Sequence, residues 1–285
     1  MATVRSIGSA SMVGPQIYRQ FAPSWPVLRL ILQLGLAAFI LLSWEYLPTI
    51  GFVSSHVSFL DPFFISSPTE IASKLWGLMT GNNDNRVTLW PYLWTTLSAT
   101  LLGSAIGLLL GALFGLVFSN NRRLSEVVRP FLILANSVPR VAIIPIFVVM
   151  MGPTLGASVV SVVAVVFFLG FFNAFEGGLS VREPLIENAH LLGASSFEIM
   201  RSIRLPMVLT WTFASVPNAI SFGLVVAVTT ELLAGIPGMG TLILTATANL
   251  QVAETFAMIT ILSVVGLVLY GGAVALKGYV IHWKV

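Results

Sequence analysis

The sequence predicts an all-α membrane protein with six transmembrane helices and both termini on the cytoplasmic side. Three observations predict it. Of 285 residues 56% are hydrophobic and only 9% charged, with a mean hydropathy of +0.94; a soluble domain carries roughly 25% charged residues. Six apolar stretches, near 27–47, 92–118, 131–151, 157–175, 207–230 and 256–276, each approach the roughly 20 helical residues a bilayer requires. Basic residues alternate between the connections. Arg5, Arg19 and Arg29 precede or open the first span, Arg122, Arg123 and Arg129 follow the second, Arg182, Arg201 and Arg204 follow the fourth, and Lys277 and Lys284 close the chain. The opposite connections hold only Lys74 and Arg86, so the positive-inside rule orients the bundle. Lipid cannot satisfy a bare backbone and no period-2 pattern is present, so each span is read as a helix.

Residues 1–26 are polar and read as a cytoplasmic tail, and 27–47 as an anchor helix rather than a cleaved signal. Residues 48–91 form an external segment. Within it Ser67, Pro68 and Glu70 have capping-box spacing, and Ile71, Leu75, Leu78 and Met79 make one apolar face, so a short helix is expected until Gly81. It is either a docking surface or a connector resting on the membrane. Residues 92–285 form the remaining five-helix unit. Its first span repeats Gly103, Gly107, Gly111 and Gly115, which predicts close approach of another helix. The third span is interrupted by Pro130, Pro139 and Pro145 and contains Asn136, Ser137 and Arg140. A straight helix would put Arg140 about 15 Å into the span, where it either faces a polar path or snorkels to the interface. Asn173 and Glu176 mark the inner end of the fourth span. The fifth carries Pro217, Asn218, Thr229, Thr230 and Glu231, a polar set turned from lipid or bonded to neighbouring helices. Residues 235–240 form a turn that lacks the strand and lysine of a phosphate loop.

The segment 177–206 differs from every other connection because it is long, amphipathic and bears both charge signs. Pro184 opens a helix along which Leu185, Ala189 and Leu192 share a face, Gly193 ends it, and Ser195 to Glu198 starts a second helix. Phe197, Met200 and Ile203 are expected on one face of that helix, and Pro206 is expected to end it before the fifth span.

Glu187, Ala189 and Gly193, followed after nine residues by Ile203, Leu205 and Pro206, resemble the EAA signature of the membrane subunits of bacterial ATP-binding-cassette importers. Asn188 stands where that family usually has alanine. The resemblance runs from about residue 92 onward, and the segments Ser67–Glu70 and Ser137–Pro139 are similar to the nitrate, sulfonate, taurine and bicarbonate branch. The resemblance implies a type I importer permease fold in the bacterial cytoplasmic membrane. It implies that the loop is a coupling helix seated on separate ATPase subunits, two per transporter, with an external solute-binding protein and a second permease chain, in the simplest case an identical one. Leu192 and Phe197 would supply the apolar ridge, Glu187 and Arg201 the register, and Gly193 the turn. Asn136, Arg140 and Asn218 would line the path of a small anion or, as the alternative, a pyrimidine-type vitamin precursor.

Other classes find less support. No Gly-x4-Gly-Lys-Ser/Thr segment is present, so this chain is not expected to cradle nucleotide; the resemblance implies that ATP and magnesium would be held by the partner chains and that this chain would need no cofactor of its own. The chain has no cysteine, and His56, His190 and His282 are scattered, so no metal set is expected. No basic patch with interleaved aromatics points to nucleic acid. A secondary transporter would need intramembrane carboxylates and internal repeats; Glu45, Glu176 and Glu231 lie near span ends, and no repeat stands out. No Ser/His/Asp set or facing carboxylate pair indicates an enzyme.

Overall fold

The protein is described as a computed structural model covering residues 25–50, 62–81 and 88–280, and every regular element among them is helical. Asn136 lies in a helix, but its side chain is outside the described set, as is Arg86. The chain divides into two contact units, residues 1–69 and 70–285.

The first unit holds α1 (Trp25–Tyr46), a 3-10 turn (Leu47–Thr49) and the short α2 (Pro62–Ile65). Leu34 and Phe39 on α1 are more than 60% exposed, as lipid-facing residues are. Near its end Glu45 accepts hydrogen bonds from the Thr69 amide at 3.1 Å and the Thr69 hydroxyl at 2.7 Å. The expected short helix, α3 (Pro68–Thr80), begins with Pro68 and is thus held at its start by a carboxylate 24 residues back.

The second unit is built around α4 (Leu89–Ser119), α7 (Leu155–Leu179) and α10 (Leu205–Ala234). The glycine repeat of α4 faces α7. A Cβ on Gly107 would stand 3.0 Å from the Phe167 amide and the Val163 carbonyl, and one on Gly111 would stand 2.6 Å from the Phe171 amide. The two backbones touch, and the dispersion gained along this seam offsets the roughly 1 kcal/mol of helix propensity each glycine gives up. Ala99, Val162, Val166, Ala219, Val226 and Ala227 form the core where α10 crosses the pair. There the Ser104 hydroxyl donates to the Ala219 carbonyl at 3.4 Å, a bond between two spans. Below it Phe118, Phe171 and Phe175 pack with Leu132.

Leu132 belongs to α5 (Arg122–Ser137), which is followed by a 3-10 turn (Arg140–Ile143) and α6 (Ile144–Met151). These pieces meet at 79°. Of the three prolines expected to interrupt this span, only Pro139 stands at the break. Pro130 is carried inside α5, and Pro145 occupies the first turn of α6, where its missing N–H costs nothing. The 15 Å depth expected for Arg140 assumed a straight rise and does not apply across such a bend. Among the described residues five helices are long and apolar enough to cross a bilayer, and the bent pair makes the sixth when counted as one span. Two elements complete the unit, α11 (Met239–Ala248) and α12 (Val252–Val280). Lys74 on α3 pairs with Glu254 on α12 at 3.8 Å.

Candidate functional site

The segment between α7 and α10 folds through two local rules. In α8 (Glu183–Leu191) Pro184 sits in the first turn, as expected. At its end Gly193 has φ +86°, a left-handed backbone that a Cβ disfavours. The Gly193 amide donates to the His190 carbonyl at 2.9 Å and the Ala194 amide to the Ala189 carbonyl at 3.0 Å, which is the paired bonding of a Schellman motif. Ala189 and Gly193 therefore belong to one turn, closed between Ala189 and Ala194. Ser195 then caps α9 (Ser196–Ile199). Its hydroxyl accepts from the Glu198 amide at 3.3 Å, and its own amide donates to the Glu198 carboxylate at 2.7 Å. This amide, then the Ser195 hydroxyl, holds the Glu198 carboxyl below the ordinary carboxylate range.

This turn presents apolar side chains outward. Leu191 is 84%, Leu192 88% and Phe197 70% exposed, whereas Ile199 is buried. Glu187 and Arg201 are exposed beside them, and Ala189, Ile203, Leu205 and Pro206 are half-buried. Phe197, Met200 and Ile203 were expected on one face. The structure separates Phe197, which points outward, from Met200 and Ile203, because Ile199 takes the inward position.

Pro206 does not end the second helix, contrary to expectation. Residues Met200–Arg204 form a π turn, with the Leu205 amide donating to the Met200 carbonyl five residues back, and the helix runs on into α10. Pro206 lacks an N–H and its ring would crowd the carbonyl four residues earlier in a regular helix; the wider turn removes that conflict. Continuous helix from Ser196 to Ala234 spans 39 residues, about 58 Å at the α-helical rise, well beyond a hydrocarbon layer of about 30 Å. Its first turns, Glu198 among them, accordingly project past the apolar layer.

Sequence reasoning used Arg204 only for orientation and missed its contact. Its guanidinium Nη1 donates to the Ser119 carbonyl at 3.2 Å, to the Asn120 side-chain oxygen at 2.9 Å, and to the Asn120 carbonyl. It thereby closes the carbonyl end of α4, where a cation also complements the helix dipole. The partner lies 85 residues away, so only the basic residue next to Leu205–Pro206 could have hinted at it.

Of the residues expected on a path, Arg140 borders a cavity of about 430 Å³ with Val141, Val165, Leu169, Phe222 and Val225. Its guanidinium carbon lies 5.4 Å from the centre of the Phe168 ring. Asn218 is exposed on α10 one turn before Phe222, on the same stripe, but does not line the cavity. No cluster of three or more metal-binding side chains occurs among the described residues.

Residues 103–278 match the family described as the binding-protein-dependent transport system inner membrane component. The chain belongs to this family. It is 27% identical over 272 residues to the riboflavin transport system permease protein RibX of Chloroflexus aurantiacus, covering 95% of this chain and 96% of that one. It is 24% identical over 260 residues to the taurine transport system permease protein TauC of Escherichia coli, covering 91% and 92%. Among solved structures it resembles a chain of the MetNI methionine ABC transporter in an inward-facing conformation, with a TM-score of 0.59 at 18% identity over 70% of this chain and 99% of that one. The expected all-helical importer-permease fold and the permease expectation both stand. The chain is a multi-pass inner-membrane permease subunit of an ABC importer, and it is not itself an enzyme.

Proposed function

We propose that this permease carries a small anion, takes its driving force from two separate ATPase subunits bound at Glu187–Pro206, and works as a homodimer with an external solute-binding protein. The observation that carries the reading is the outward ridge of Leu191, Leu192 and Phe197 on a turn fixed at both ends. Water gains nothing from three large apolar groups held out rigidly; a groove in a partner does. Glu187 and Arg201 at its edge set the register. Arg204 ties the same segment to α4, so displacement of the ridge pulls on the bundle. ATP and magnesium are held by the partner chains. The cytoplasmic placement of both termini rests on the basic residues in the first turns of α5 and on either side of α8.

Arg140 supports the anion reading, since it is the charged group on an otherwise apolar cavity wall. A pyrimidine-type vitamin precursor is the second reading. It is favoured by similarity to a formylaminopyrimidine transport permease protein, ThiX, of Halalkalibacterium halodurans, 24% identical over 164 residues and covering 58% of this chain and 66% of that one.

Two measurements test these statements. Leu192→Asp should abolish copurification of the ATPase while the permease yield stays within about twofold, because an exposed site carries little stability; an ATPase that still copurifies refutes the docking role. Arg140→Met should abolish uptake of small alkanesulfonate anions into proteoliposomes with assembly intact. Uptake of a neutral pyrimidine that survives this substitution would favour the second reading.

A further inference from the structure

The end of α10 remote from the α8–α9 turn holds a buried carboxyl that nothing above uses. Glu231, in the last turn of α10, is 0% exposed. Its Oε2 accepts from the Thr96 hydroxyl of α4 at 2.9 Å and from the Gly240 amide at 2.9 Å. The Thr96 oxygen in turn accepts from the Met239 amide at 3.0 Å. Glu231 Oε1 is buried without a hydrogen-bond partner among the described residues.

Met239 and Gly240 are the first two residues of α11, and the residue before them, Gly238, has no side chain to cap with. A helix start leaves its first amides without partners, and a buried one cannot borrow water. Here two other helices provide the acceptors. The carboxyl oxygen also lies at the positive end of the α11 dipole, where an acceptor is favoured. The fit is close. A methyl on Gly238 would overlap the carboxyl, and one on Gly240 would stand 2.8 Å from the Glu231 Cβ. α11 has 10 residues, about 15 Å, too short to cross a hydrocarbon layer of about 30 Å, and α12 follows it after three residues.

We propose that Glu231 is a positioning residue for transport. It caps α11 from outside that helix and locks α4, the end of α10 and α11 into one block. The path at this end therefore opens by motion of the block and not by α11 lifting alone. This rests on the reading of the chain as an ATPase-driven permease, and the test separates the two.

The chain has no native cysteine, so Leu242→Cys, on the buried face of α11 and 7% exposed, reports lifting of α11 through its rate of labelling by N-ethylmaleimide. The full complex with its ATPase, in lipid nanodiscs, is labelled with and without ATP. With Glu231 present, labelling should be slow and equal in both states. Glu231→Ala should accelerate it about tenfold or more, and Thr96→Val, which keeps the side-chain shape, should accelerate it by a smaller factor. Glu231→Gln keeps an acceptor oxygen at the same place and should stay within about threefold of the parent. In proteoliposomes the solute carried per ATP hydrolysed should fall about tenfold in Glu231→Ala and recover in Glu231→Gln. Labelling that speeds up with ATP in the parent overturns the proposal. So does Glu231→Ala labelling at the parent rate, or Glu231→Gln behaving as alanine. If Glu231→Ala does not assemble, the Thr96→Val and Glu231→Gln rates decide by the same criteria. A parent that shows no ATPase-dependent uptake refutes the functional reading, while the labelling rates still judge the lock.

Discussion

The two ends of α10 are tied to the same neighbour by opposite means. At one end Arg204 reaches the last carbonyls of α4 from a half-buried π turn. At the other Glu231 reaches Thr96 near the first turns of α4 from complete burial. Each tie joins two helices, yet their environments differ. Water can replace the acceptors that Arg204 uses, so that tie can exchange during a cycle. The donors that Glu231 accepts from cannot leave it without stranding buried polar atoms, which costs about 1–3 kcal/mol each. On the docking role proposed for the ridge, an exchangeable joint beside it suits a segment that receives force, and a sealed one suits an end that must keep its shape.

Three changes would sharpen this contrast. The largest effect is expected from Gly238→Ala, whose methyl overlaps the Glu231 carboxyl. It should destabilise the permease by about 3 kcal/mol, read as a lower Tm in detergent, and Glu231→Ala in the same chain should relieve part of the loss. A fall as large in the double variant would mean the clash lies elsewhere. Arg204→Gln should cost about 1 kcal/mol or less, yet it should cut uptake more than it cuts ATP hydrolysis; an equal loss of both would leave the residue a purely structural tie. The smallest change is expected at Glu198. Its carboxyl titrates below the ordinary 4.5 when folded, so its support for the α8–α9 turn is present above that value and disappears as the pH falls through the lowered one. Hydrogen exchange of the amides of residues 196–198, corrected for its intrinsic pH dependence, should rise with acidification in the parent, and in Glu198→Gln it should show no such step.

What the sequence made legible was what sits close along the chain or repeats on one face. The glycine repeat of α4 announces a tight neighbour because four glycines one turn apart cannot serve a lipid face. Gly193 and the Ser195–Glu198 spacing specify their turns within six residues, so no tertiary information was needed. Pro206 was misread because a π turn is not a local preference of any residue in it; it forms where α9 must join α10 with the proline ring accommodated. Arg140 was given a depth by assuming a straight rise that the bend at Pro139 cancels. Thr96 and Glu231 are 135 residues apart, and no pattern in either neighbourhood points to the other. The polar set on the fifth span was visible, but which of its members are sealed inside was not, since Glu231 and Thr230 are buried while Asn218 is exposed.

The π turn at Met200–Arg204 also acts as an angular offset. One surplus residue in a helix rotates everything after it by about 100°, so the stripe of α10 that carries Asn218, Phe222 and Val225 owes its bearing to that residue. Removing one position from 200–204 would leave every side chain of α10 intact and swing the whole stripe away from Arg140. The bearing of the cavity wall opposite Arg140 is thus set, like the phase of a gear, at the joint where the helix leaves the α8–α9 turn.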